Sequence, residues 1–146
     1  MRALTAIAAV CAGGMMCCCT SAHRSYMTDI GSGGWHEPVT FAVVNADTAA
    51  LCDIFVALRH DGRIAGRPVT VEVRTETPDS LTVTERLTAV PAEDGRSSSS
   101  QHEAALPYRR RVRFPRTGEY RITLTPQCEM HGVTAVGIDI AERVNE

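Results

Sequence analysis

The sequence predicts an all-β chain, an antiparallel β-sandwich of about seven or eight strands. Three observations carry that prediction. Apolar and polar residues alternate at period two over several short runs. Turn residues (Gly, Pro, Asp and Ser) punctuate those runs. Nowhere beyond the N-terminus does the apolar spacing of an amphipathic helix persist.

In chain order, Met1-Arg2 precedes an uncharged run from Ala3 to Met16, the build of a bacterial export signal. The run ends in Met15-Met16-Cys17-Cys18-Cys19-Thr20-Ser21. A cysteine just past such a run, with a small residue before it and an aliphatic one three before, resembles a lipobox, where the thiol takes a diacylglyceryl group. Cys19 fits best, Cys18 is the alternative, and Cys17 has bulky Met16 beside it. Two other readings stay open: ordinary cleavage at Thr20-Ser21-Ala22, or retention of the uncharged stretch from Ala3 to Ala22 as a membrane helix. The expected organisation is a signal over 1–18, a polar tether over 19–25, the sandwich over 26–142 with a mobile loop at 91–103, and a tail at 143–146.

The first strand is expected over Tyr26 to Ile30, followed by the turn Gly31-Ser32-Gly33-Gly34. Val39, Phe41 and Val43 then alternate with Thr40 and Ala42 as a half-buried strand. Leu51 to Arg59 is apolar on both faces, which marks a central strand. After the turn His60-Asp61-Gly62-Arg63, Val69, Val71 and Val73 oppose Thr70, Glu72 and Arg74. Thr77-Pro78-Asp79-Ser80 turns the chain into Leu81, Val83 and Leu87. Pro91 to Glu103, with its serine run, has the composition of a mobile loop. Tyr108, Val112 and Phe114 share one face of the next strand, and Arg109, Arg111 and Arg113 share the other. Arg110 falls on the apolar side and must reach the rim or a carboxylate, because an unpaired buried charge is costly. Gly118-x-Tyr120 has the form of a tyrosine corner, and Val136, Ile138 and Ile140 mark the last strand.

Composition narrows the function. A net charge of −2 excludes a global field that would draw in nucleic acid. All 15 basic residues are arginine. The histidines are scattered, and neither Gly-x-Ser-x-Gly nor His-Glu-x-x-His occurs, so the expectation is no enzyme, no catalytic residue and no metal. Cys128-Glu129-Met130-His131 is half of a zinc pattern that Cys52 and His60 could nominally complete, a weak signal without a second tight pair. Cys52 and Cys128 are the two body cysteines, either bridged in an oxidising compartment or separate buried thiols. Trp35 and His36, with Arg109, Arg111 and Arg113, are the candidate partner surface, weighed against a tryptophan plugging one end and a simply solvated arginine face.

Gly34-Trp35-His36 with Pro38-Val39-Thr40-Phe41, then Ile54-Phe55-Val56-Ala57-Leu58-Arg59-His60, Val112-Arg113-Phe114-Pro115, Gly118-x-Tyr120 and Val136-Gly137-Ile138-Asp139-Ile140 occur in this order. On these motifs the sequence resembles the gliding-motility-associated lipoprotein GldH family of Bacteroidota, from about Tyr26 to Glu142. The resemblance implies a palmitate-type lipid anchor in the outer membrane and an accessory, non-enzymatic role in the gliding apparatus and its associated secretion machinery. The cofactor expectation is none beyond the covalent lipid. The expected partners are the membrane, through that anchor, and other envelope lipoproteins or motility and secretion components. The alternative function is a lipid-anchored periplasmic binding module for glycan or peptide, motivated by Trp35 and the arginines.

Overall fold

A computed structural model describes residues 22–92 and 100–143. Eight strands occupy them: β1 (His23–Asp29), β2 (Val39–Asn45), β3 (Cys52–His60), β4 (Val69–Glu76), β5 (Thr82–Ala89), β6 (His102–Val112), β7 (Gly118–Pro126) and β8 (Val133–Glu142). Because polar residues alternate with apolar ones along most of them, each strand can bury one face, and two sheets stacked on those faces are the way to do so.

One sheet has the order β1-β8-β3-β6 and the other β2-β7-β4-β5. Every neighbouring pair is antiparallel. Consecutive strands β1 to β4 alternate between the sheets, as do β6, β7 and β8, and this is the strand order of a jelly roll. Phe41 and Val43, Ile54, Val56 and Leu58, Val69, Val71 and Val73, Ile122 and Leu124, and Val136, Ile138 and Ile140 fill the space between the sheets. The expected all-β sandwich is therefore what forms.

The fold has two poles. At the N-terminal pole β1 and β3 begin while β6 and β8 end, as the pairs His23↔Ala141, Cys52↔Glu142 and Cys52↔Val112 show. Asn45 closes the same pole, its amide donating 3.0 Å to the Arg116 carbonyl beyond β6. The β1–β2, β3–β4 and β7–β8 connections lie at the far pole, where β5 also ends and β6 begins.

Several expected boundaries move. β1 opens at His23, so residues 23–25, read as tether, pair with Asp139 to Ala141. His102 and Glu103, read as loop, are strand and face His60 and Arg59. Residues 93–99 of that loop, the signal and residues 144–146 lie outside the described residues. The tyrosine corner is made: Tyr120 donates its hydroxyl to the Arg116 carbonyl at 3.1 Å and accepts the Arg116 N–H at 3.0 Å. Its ring meets Phe114 edge-on at 4.9 Å, tying the start of β7 to the β6–β7 turn.

Candidate functional site

The five partner-surface residues expected from the sequence do not converge; they fall in three places. At the far pole, Trp35 exchanges backbone hydrogen bonds with Met130, 3.0 Å one way and 2.9 Å the other. Gly34 enters that bridge at φ +85°, and a Cβ there would meet the Met130 carbonyl oxygen at 2.9 Å. The indole N–H donates 2.8 Å to the Glu37 carbonyl, and the residue is 1% exposed. A ring so enclosed has no free face to stack on a ligand, so Trp35 is the plug and not a contact. His36 is exposed beside Glu37.

A second place is the side of the sandwich where β5 and β6, the outer strands of their sheets, lie next to each other. Inward side chains are poorly covered there. Val83, on the inward face of β5, is 52% exposed, and Leu81 and Val90 flanking that strand are 59% and 58% exposed. Leu87, Ala89, Ala104 and Tyr108 are only half-buried along the same side. Glu85 also faces inward and accepts hydrogen bonds from the Tyr108 hydroxyl and the Arg109 guanidinium across the gap. The Tyr108 bond, and then Arg109, hold the Glu85 carboxyl below its ordinary value. Burial, together with the Glu85 carboxylate, pushes Tyr108 up to about 12. Arg109 lies over the Tyr108 ring at 5.4 Å from its centroid. It is therefore a cross-sheet clamp rather than part of a solvent-facing row.

The third place is the N-terminal pole. The pairing of β6 with β3 shifts register twice, between Pro107↔Phe55 and Arg109↔Ile54 and again before Val112↔Cys52. Arg111 sits in the break at φ +53°, a conformation side-chain-bearing residues seldom adopt. Asp53 holds the break, taking the Arg111 N–H at 2.9 Å on one oxygen and the Arg143 guanidinium at 2.6 and 2.9 Å on the other. Arg143 first, and then that amide, keep the Asp53 carboxyl below the usual carboxylate range. The interrupted pleat turns Arg110 outward, where an unbroken strand would have aimed it at the core. Arg110, Arg111 and Arg113 are all exposed, and Arg113 Nε donates 3.0 Å to the Ala49 carbonyl.

The expected cysteine and metal groupings are also separated. Cys52 is a buried free thiol at the N-terminal pole; Cys128 is an exposed free thiol beside Met130 at the far pole. The length of β3 alone puts them about 25 Å apart, far outside disulfide reach. The Cys52, His60, Cys128 and His131 set is divided in the same way. Lipidation at Cys19 or Cys18 lies outside the described residues.

Such a fold and such surfaces define an all-β sandwich domain with a poorly covered β5–β6 side and an arginine-bearing pole. Residues 23–140 match the GldH lipoprotein family, from the first residue of β1 to Ile140 near the end of β8. The chain belongs to that family, which ties it to gliding motility, to a lipid-anchored place in the cell envelope and to no known enzyme activity. No curated protein matches it. Among solved structures it is similar to a chain in the structure of infectious bursal disease virus, Gx strain, at 12% identity and a TM-score of 0.39, covering 93% of this chain and 36% of that one. It is also similar to dimeric latent PorU from Porphyromonas gingivalis at 12% identity and a TM-score of 0.27, covering 84% of this chain and 13% of that one. The chain thus spans well under half the length of either.

Proposed function

We propose that this protein is a non-enzymatic accessory component of the cell-envelope machinery for gliding motility and its associated secretion, anchored in the outer membrane by lipid on Cys19, or on Cys18. The observation that carries the reading is the family match over nearly the whole body, residues 23–140. The poorly covered side between β5 and β6 is where another envelope component docks. Exposed apolar side chains clustered on an edge strand favour association, and here they lie beside the Glu85, Tyr108 and Arg109 cluster that can orient a polar rim. The protein uses no cofactor beyond its covalent lipid. Burial of Trp35 removes the main motive for a glycan-binding module.

The test is complementation of a gene deletion with Leu81→Ser/Val83→Ser. Both residues are already more than half exposed, so the fold and the membrane-bound amount should be unchanged while surface spreading and protein secretion fall toward the deletion level. A deletion strain that spreads and secretes normally would refute the role. A double substitution that complements fully would refute the docking side alone.

A further inference from the structure

We propose that the N-terminal pole is a second membrane contact, in which Arg110, Arg111 and Arg113 rest on anionic lipid headgroups and hold the sandwich upright over its anchor. The inference rests on the lipid anchor proposed above. β1 starts at His23 on this pole, and Cys19 is four residues earlier, so the acylated residue is at most about 14 Å from the first strand. An anchor that short makes this pole the bilayer-facing end.

The arginines lie at the other side of the same pole. β1 and β6 are the two outer strands of one sheet, with β8 and β3 between them, which separates anchor and arginines by about 14 Å of sheet width. A single tether leaves a body free to swing; a second contact displaced from it removes that freedom. Four carboxylates of this pole are already engaged, Asp53 by Arg143 and the Arg111 N–H, Asp79 by Arg116 at 2.7 Å, Glu142 beside Arg24 at 3.9 Å, and Asp47 by the Ala49 N–H, while Glu119 stands exposed on the other sheet. Among the described residues, no carboxylate lies within ion-pair distance of Arg110, Arg111 or Arg113. The strained backbone at Arg111 and its Asp53 pin present all three together. Guanidinium groups match phosphate oxygens bidentately, and the anchor keeps the surface at high local concentration, so weak individual contacts suffice.

The chain's one tryptophan reports the orientation. Trp35 sits at the far pole, about 25 Å from the arginine end along β3. The full acylated protein is reconstituted into vesicles of phosphatidylcholine alone, or of equal parts phosphatidylcholine and phosphatidylglycerol, each with a headgroup-dansylated lipid as acceptor. Upright standing on the anionic vesicles gives low energy transfer from Trp35. Transfer rises about twofold on phosphatidylcholine alone, in high salt, or with Arg110→Gln/Arg113→Gln, which leaves the strained Arg111 backbone untouched. Equal transfer from protein that floats with both vesicles, unchanged by the substitutions, overturns the arginine contact. Protein that floats with neither vesicle overturns the anchor and this contact with it.

Discussion

At the residue scale, His60 shows how a position read as part of a turn becomes a buried group with a fixed protonation state. It is 1% exposed, and its Nδ1 accepts the Gly62 N–H at 3.0 Å. That nitrogen must be unprotonated, so the neutral ring carries its proton on Nε2. Burial, and next the His102 ring stacked at 5.6 Å, lower its pKa from the ordinary 6.5, against a smaller opposing pull from Asp61. A histidine lowered on folding leaves stability intact above its unfolded pKa; as pH falls through about 6.5 the unfolded chain binds a proton that the folded one refuses. Denaturant unfolding should therefore show stability declining below about pH 6.5, with His60→Gln removing most of the decline that precedes protonation of the carboxylates. A flat profile through that window in the unsubstituted protein would contradict the assignment. Tyr120 is the opposite case: its corner was legible because Gly118-x-Tyr120 and the Arg116 backbone it binds are local in sequence. The outward turn of Arg110 was not, since it depends on a break in pairing that alternation does not encode.

At the scale of elements, β1 matters beyond its length, because it connects the body to the anchor. Its pairing with β8 runs across Met27↔Gly137, and a Cβ on Gly137 would lie 2.2 Å from the Tyr26 carbonyl oxygen and 3.0 Å from Met27 Sδ. Backbone cannot yield as a flexible side chain can, so Gly137→Ala must push β1 outward. The expected result is a loss of about 2 kcal/mol or more in unfolding free energy. Amide exchange should speed up selectively over 23–29, while β4 and β5 keep their protection. Uniform protection across all strands would show that the sheet absorbs the methyl. The glycine was visible in the sequence within Val136-Gly137-Ile138, but its reason was not, since the crowding atoms come from more than a hundred residues earlier. The start of β1 was missed for a related cause: His23-Arg24-Ser25 has no apolar alternation, and only the neighbouring β8 makes it a strand.

At the scale of the whole molecule, the last strand lies inside its sheet, between β1 and β3. Neither neighbour can bury its inward face until β8 arrives, so the domain closes only when nearly the whole chain is present. Removal of residues 133–146 should abolish cooperative thermal unfolding and leave an aggregation-prone chain with two unpaired strand edges. A truncated chain that still melts cooperatively would mean that the second sheet folds by itself. The same topology brings the start of β1, the end of β8 and the arginine break to one pole and leaves the β5–β6 side poorly covered. Those two placements support the docking and membrane contacts proposed above.

Alternation, turn residues and the ordered motifs were enough to establish the β class, most strand positions, the tyrosine corner and the family. They could not say which strands neighbour one another, because a period of two specifies the face of a side chain and not the partner of its backbone. Hence the grouping of Trp35 with the arginines, and of Cys52 with Cys128, dissolved once pairing was known. Folding sends them to opposite poles or different sides, since β3, β6 and β8 meet across long stretches of chain at registers no local pattern contains.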